Sequence, residues 1–387
     1  MDRRKFMTQG LLATGALSVG KAKADTGGSV QKKESPPKMK YRRLGRTEMQ
    51  VSEVCFGTYG WQHTPVLETA VEAGVNLVCT CADYQSGAAE KALGPALAKY
   101  RDKVFVLSGI DTMRNPDEQT MLSRLDESLE TMGLDYLDLY VPHQADTMEN
   151  ITNPAIPEAF EKMKAAGKAK YLGISTHSGQ LEPMLNKAID LGYFDVILCR
   201  YNFMEYKSQH ELFRRAAEHD IGVIVFKVRA GARESEVKAL EEKGLELGQA
   251  RMSWALSNSD VTSVCAHFSN FGAIRNYMEA INTGLSFDGA ELLEQYRQAF
   301  DNSYCRNCAS CTAACPHGVN VADILRYSMY FSHYGFEKEA MERYAELPAG
   351  QQPLACHSCS APCEKLCPHG LSTRAQLLEA RQQLAMA

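Results

Sequence analysis

EQTMLSRLDESLETMGLDYLDLYVPH, residues 118–143, holds the pattern that decides the fold. Its first part, Glu118–Met132, is an amphipathic helical segment. Its second, Leu137–Val141, is a short run that is almost wholly apolar, as a strand is when a parallel sheet is buried on both faces. The same alternation extends outward in both directions. Glu53–Gly57, Val75–Cys79 and Val104–Ser108 are strand-like runs before it, and Tyr171–Ser175, Val196–Tyr201, Val223–Phe226 and Thr262–Ala266 follow it. Ala89–Tyr100, Ile156–Ala166, Glu182–Leu191, Glu211–His219 and Val237–Leu256 are amphipathic segments between them. Eight such βα units over about 250 residues predict an α/β fold, a closed (β/α)8 TIM barrel spanning 39–290. The rival is an open doubly wound sheet. No Gly-x-Gly-x-x-Gly follows the first strand, which counts against it.

The character changes over residues 291–387, where eight of the thirteen cysteines lie. Cys305-x2-Cys308-x2-Cys311-x3-Cys315-Pro316 is the first set, and Cys356-x2-Cys359-x3-Cys363-x3-Cys367-Pro368 is the second. Both end in Cys-Pro-His-Gly, at 315–318 and 367–370. Three thiolates on one tight loop can hold three irons of a cubane, and a fourth beside Pro belongs to the other cluster in two-cluster ferredoxins. The spacing therefore suits two [4Fe–4S] clusters with crossed ligands. Cys367 joins Cys305, Cys308 and Cys311, and Cys315 joins Cys356, Cys359 and Cys363. A pair of structural zinc sites is the alternative, but zinc does not call for three closely spaced thiolates followed by Cys-Pro. A chain this long does not need a disulfide framework. Asn320, with Asp323 three positions on, is expected to cap a helix containing Ile324, Leu325, Ser328 and Phe331. Pro348 and Pro353 end a second helical stretch. The domain reads as a small α-helical ferredoxin-like 4Fe–4S domain, with His317 and His369 supporting the loops.

The N-terminus begins Met1-Asp2-Arg3-Arg4-Lys5, continues with an apolar stretch from Gly10 to Gly20, and reaches Ala22-Lys23-Ala24. This reads as a twin-arginine signal peptide over residues 1–24. Residues 25–38, with Pro36-Pro37, read as a linker. The two ends explain each other. Clusters are inserted in the cytoplasm, and a loaded, folded protein needs an exporter that accepts folded cargo. A periplasmic location is the expectation, with the twin-arginine export machinery as one partner. The apolar stretch is too short for a transmembrane anchor, which needs about 20 residues. A net charge of −5 leaves no basic footprint for nucleic acid.

Several barrel segments resemble the aldo–keto reductases, in particular the branch with a C-terminal two-cluster ferredoxin domain. They are Tyr41-Arg42-Arg43-Leu44-Gly45-Arg46-Thr47, Phe56-Gly57-Thr58, Ala73-Gly74-Val75-Asn76, Ala89-Glu90-Lys91-Ala92-Leu93-Gly94, Asp138 to His143, Gly173-Ile174-Ser175-Thr176-His177 and Tyr201-Asn202. The resemblance implies a catalytic tetrad at the C-terminal mouth of the barrel. In it a Tyr donates a proton to a carbonyl, a Lys and an Asp lower its pKa, and a His orients the substrate. Tyr84 and His143 match the Tyr and the His. Cys79 stands at the Asp position and Gly109 at the Lys position. The family's dinucleotide segments differ too. Phe226-Lys227-Val228-Arg229 stands where a Lys-Pro pair is usual, and Cys265 to Asn270 replaces an Ile-Pro-Gly run. NADPH is therefore a doubtful cofactor.

The expected function is that of an exported iron–sulfur oxidoreductase. It would exchange electrons with an electron-carrier protein or membrane redox partner, and act on a substrate near Tyr84 and His143. An electron-transfer or partner-binding subunit on a degenerate barrel is one alternative. An NADPH-dependent carbonyl reductase with a substituted tetrad, in which Lys227 or Arg229 replaces the lost cation, is another. Cys55, Cys79, Cys81, Cys199 and Cys265 lie in apolar stretches and read as buried thiols. Cys79 and Cys81 are expected to pack rather than share a metal. His177 and His267 face the mouth or serve structure, and Trp61 is a pocket wall or core.

Overall fold

The computed structural model describes residues 38–61, 63–204, 208–233 and 247–385. The signal segment, the linker up to Pro37, and residues 237–246 of the expected helix lie outside the described residues.

All eight expected strands form, and together they close a barrel. Two short strands precede it, β1 (Tyr41–Arg43) and β2 (Gln50–Ser52). The barrel strands are β3 (Val54–Gly57), β4 (Leu77–Cys79), β5 (Phe105–Ser108), β6 (Leu137–Tyr140), β7 (Ala169–Thr176), β8 (Val196–Arg200), β9 (Gly222–Phe226) and β10 (Ser263–His267). They pair in sequence order, and β10 closes on β3. Every barrel pairing is parallel. The helix Glu118–Met132 shows why the local reading holds. The Asp117 side chain accepts from the Thr120 amide, and Gly133 takes the left-handed turn at φ 66° that ends the helix.

The hairpin β1–β2 was not expected. It is antiparallel, with Tyr41 opposite Ser52. Leu44, Met49 and Val51 from it join the barrel interior beside Leu77, Leu107, Leu139, Val196 and Ile224. A Cβ on Gly222, the first residue of β9, would lie 2.5 Å from the Leu44 side chain. The hairpin therefore plugs the end of the barrel where strands begin, and leaves the other end for chemistry. Burying such a Leu or Val stabilises the fold by about 1.5–3 kcal/mol.

Beyond β10 the described chain contains helices and no strand. Phe287–Phe300 packs Leu292, Leu293 and Tyr296 against Leu247 and Ala250, so position 290 falls inside a helix that leans on the barrel. Val321–Tyr334, Glu337–Ala345 and Thr373–Leu384 form a second core, in which Ile324, Leu325 and Tyr327 meet Leu377, Ala380 and three of the cysteines. Asn320 precedes the helix Val321–Tyr334 but makes no side-chain cap. Its amide donates instead to the Asp323 carboxylate at 2.8 Å. The expected cap is corrected accordingly: the amide that would accept from the helix is turned into a donor by the acid beside it. No helix among the described residues is long and apolar enough to cross a membrane.

Candidate metal centres and the barrel mouth

The eight clustered cysteines gather into two cavities, and each cavity mixes the two sequence sets. Cys305, Cys308 and Cys311 line one with Cys367. Cys356, Cys359 and Cys363 line the other with Cys315. The donor set is four sulfurs at each, the chemistry an iron–sulfur cluster uses. Left-handed backbone at Asn307, Ala309 and Ala361 folds the loops tightly. Amides then turn toward sulfur: Asn307 donates to Cys305 Sγ at 3.3 Å, and Val319 to Cys315 Sγ at 3.4 Å. Burial pushes the Cys305 thiol to about 12 and the Cys311 and Cys356 thiols to about 11. At neutral pH these groups become thiolates only when a metal displaces the proton. His317 lines the second cavity and His369 the first, each beside its Cys-Pro turn.

The first cavity is seated on the barrel. Arg200, at the end of β8, donates to the carbonyls of Arg306 and Asn307 at 3.0 and 3.2 Å. Asn307 donates to the His177 carbonyl at 3.1 Å. Gly179 makes this approach possible, since a Cβ there would lie 2.2 Å from the Asn307 carbonyl oxygen. The helix Val321–Tyr334 then runs across the mouth. Its buried Arg326 donates to Asp146 at 2.9 Å and to the His177 carbonyl at 3.0 Å. Tyr334 and His333 reach the carbonyls of Ala230 and Gly231, just after β9.

Tyr84 and His143 do meet at the mouth, with ring centroids 5.8 Å apart. Tyr84 also stacks edge-on against Tyr59, which in turn meets Phe336 of the helical domain. Burial raises the Tyr84 hydroxyl well above its ordinary range, and Cys79, Cys81, Cys265 and Asp111 raise it further. Thiols and a carboxyl surround this tyrosine where the family tetrad supplies a cation. Gly109 explains why no lysine stands there: a Cβ would lie 1.8 Å from the Val141 carbonyl oxygen. Trp61 belongs to the core, edge-on to Phe56.

His143 is buried, and burial holds its imidazole down at about 4 despite a hydrogen bond to the Thr80 backbone. Its Nε2 is buried without a partner, so the bond to Thr80 runs through Nδ1. A neutral ring with Nδ1–H committed leaves Nε2 as an acceptor. Tyr84 as donor and His143 as acceptor together suit a hydroxyl-bearing ligand. The sign of the linked pH effect follows from the lowered pKa. The stability linked to His143 is intact above its unfolded value near 6.5 and falls as pH drops toward 4, by about 3 kcal/mol in total. His143→Gln should flatten the acid limb of the stability profile in that window. An unchanged limb in denaturant titrations at pH 7, 5.5 and 4 would count against it.

Lys227 does not replace the missing tetrad cation. Its ammonium hydrogen-bonds His177 Nδ1 at 2.9 Å and the Tyr330 hydroxyl, and lies 4.6 Å from the Tyr330 ring. Burial would raise Tyr330, but Lys227, Arg326 and Arg343 outweigh it and hold its hydroxyl below the ordinary value. A tyrosine tuned by a lysine thus exists here, assembled across the two domains. Nothing in the sequence pairs Tyr330 with Lys227, because the contact depends on how the helical domain is laid over the mouth.

A parallel barrel joined to a helical domain with two four-thiol cavities defines a redox protein of the iron–sulfur class. Comparison with known proteins gives the particular domains. Residues 54–239 match the Aldo/keto reductase family, and residues 304–371 match the 4Fe-4S dicluster domain. The chain is 22% identical over 328 residues to an NADH-specific methylglyoxal reductase of Escherichia coli, covering 68% of this chain and all of that one. It is 24% identical to L-galactose dehydrogenase of Arabidopsis thaliana, over 63% of this chain and 88% of that one. In fold it is similar to an aldo-keto reductase from Bacillus halodurans in its holo form, with TM-score 0.54 and 23% identity, covering 66% of this chain and 96% of that one. The chain therefore joins a barrel segment that matches the Aldo/keto reductase family to a helical segment that matches the 4Fe-4S dicluster domain, and is an oxidoreductase.

Proposed function

We propose that this protein is an exported oxidoreductase that exchanges electrons with a carrier protein or a membrane redox partner and works without NADPH. The observation that carries the reading is the seating of the Cys305–Cys308–Cys311–Cys367 cavity on the barrel mouth through Arg200, Asn307 and His177. Two [4Fe–4S] clusters held in the two cavities would supply single-electron transfer. The chain's own residues do the rest. Asn307 and Arg326 fix the His177 loop, Lys227 holds a proton between itself and Tyr330, and Tyr84 and His143 offer a donor and an acceptor to a bound hydroxyl or carbonyl.

Two features support independence from NADPH. Gly109 leaves no space for the tetrad lysine, and the loop after β9, where the family's Lys-Pro pair stands, is bonded to the helix Val321–Tyr334. Titration of anaerobically purified, iron-loaded protein with NADPH should show neither micromolar binding nor aldehyde reduction. Binding together with turnover would make it a nicotinamide-dependent reductase instead. Clusters reduced by an artificial donor should be reoxidised by carbonyl or quinone acceptors at a rate that falls with Tyr84→Phe and His143→Ala. A rate indifferent to both would favour a partner-binding electron-transfer subunit on an inactive barrel.

Export rests on Arg3-Arg4 and Ala22-Lys23-Ala24. Replacing both arginines by Lys should leave iron-loaded precursor in the cytoplasm. Normal appearance of the double variant in the periplasm would remove this part of the proposal.

A further inference from the structure

We propose that Cys55, Cys79 and Cys265 form a buried site for one thiophilic cation, copper(I) or zinc, inside the barrel. The three sulfurs lie within 4.8 Å of one another. Thiolates at about 2.3 Å from a shared ion stand roughly 4 Å apart, so a small contraction would close the site. The residues come from three adjacent strands, and the register brings them together. Cys265 on β10 lies opposite Cys55 on β3, and Cys79 on β4 lies opposite Gly57 on β3. Gly57 makes room for the third sulfur, since a Cβ there would lie 2.9 Å from Cys265 Sγ.

The donor set decides the class of ion. No nitrogen or oxygen ligand belongs to it, and an all-sulfur set selects soft cations over magnesium or calcium. Barrel interiors are ordinarily filled with branched aliphatic side chains. Here three thiols directed at one another share the interior cluster with Leu77, Leu107 and Leu139, Cys79 lying opposite Leu107. Cys265 is the least buried of the three, which gives an ion a way in. Cys81 is outside the set, its sulfur 3.5 Å from the Gly109 carbonyl oxygen. The site is separate from the two four-cysteine cavities, which share none of its residues.

The test uses the full chain, purified anaerobically with its iron in place and treated with a chelator that leaves iron bound. It is titrated in one arm with zinc chloride and in the other with copper(I) delivered from a competing chelator. One equivalent should bind tightly in at least one arm, with iron content unchanged. X-ray absorption at that metal's edge should show sulfur neighbours and no iron neighbour, which excludes an ion that has entered a cluster. Loss of a second-shell partner costs a metal site about 10–100-fold, so Cys265→Ala, which removes a ligand, should weaken binding by more than about 100-fold. Cys81→Ala should leave it unchanged. Cys55→Ala/Cys79→Ala/Cys265→Ala should abolish the equivalent while keeping its iron. If that triple variant fails to fold, Cys265→Ala at the less buried position carries the decision. Absence of binding in both arms, or equal binding by Cys265→Ala, would overturn the proposal. The triad borders Tyr84, but the NADPH titration reads out nucleotide binding and turnover and this one reads out bound metal, so failure here leaves the proposed function standing.

Discussion

Cys367→Ser should lower bound iron from about eight to about four per chain, and the iron lost should be that of the cavity nearest the barrel. In sequence Cys367 closes the second cysteine set, yet in space it completes Cys305, Cys308 and Cys311. The reciprocal variant, Cys315→Ser, should spare that cavity and damage the one formed with Cys356, Cys359 and Cys363. The two variants should part company in turnover. Cys367→Ser should lose electron delivery to the mouth altogether, because its cavity is the one bonded to Arg200 and His177 through Asn307. Iron and sulfide analysis with electron paramagnetic resonance of the reduced variants is the measurement. Loss in the reverse order would mean that each set keeps its own fourth cysteine. Stoichiometric zinc in place of iron would remove the cluster assignment itself.

Gly109→Ala should destabilise the barrel by about 3 kcal/mol or more, at or beyond the upper end of ordinary overpacking. The reason is geometric: the added carbon would fall 1.8 Å from the Val141 carbonyl oxygen, and the β5–β6 pairing holds that backbone in place. The variant should melt several degrees or more below the parent. Cys79→Asp/Gly109→Lys, which restores the tetrad in letters, should misfold or stay inactive with NADPH. A soluble double variant that reduces aldehydes would show that β5 and β6 can separate to admit the lysine.

Much of the barrel is legible in the chain because its signals are local. Leu137–Tyr140 is buried throughout and apolar but for Asp138, and Asp117 and Gly133 mark both ends of the helix before it. The grouping of cysteines into two sets is equally local. What depends on distance is not legible. β1 and β2 have three residues each, too few to show a period, and their role appears only when Leu44 and Val51 enter the barrel. Cys55 and Cys265 lie on strands at opposite ends of the barrel sequence, and only closure of β10 on β3 makes them neighbours. Alternation would put Cys79 and Cys81 on one face, but β4 ends at Cys79 and Cys81 turns to the Gly109 carbonyl, and no local period reveals partners on other strands. Lys227 looked by position like a substitute for the tetrad cation. The helical domain decides otherwise by bringing Tyr330 to it.

Arg326 has a consequence for how the molecule fails. Its guanidinium is buried between Asp146 of the barrel and Asp323 of its own helix. Separating such a pair would strand a charge at a cost of about 3–5 kcal/mol. The same helix shares a core with Cys311, Cys356 and Cys363. Heat should therefore melt both domains in one calorimetric transition. Oxygen damage that empties the cysteine cavities should loosen the helix from within, free Arg326 from Asp146, and turn a redox lesion into protease sensitivity of the barrel.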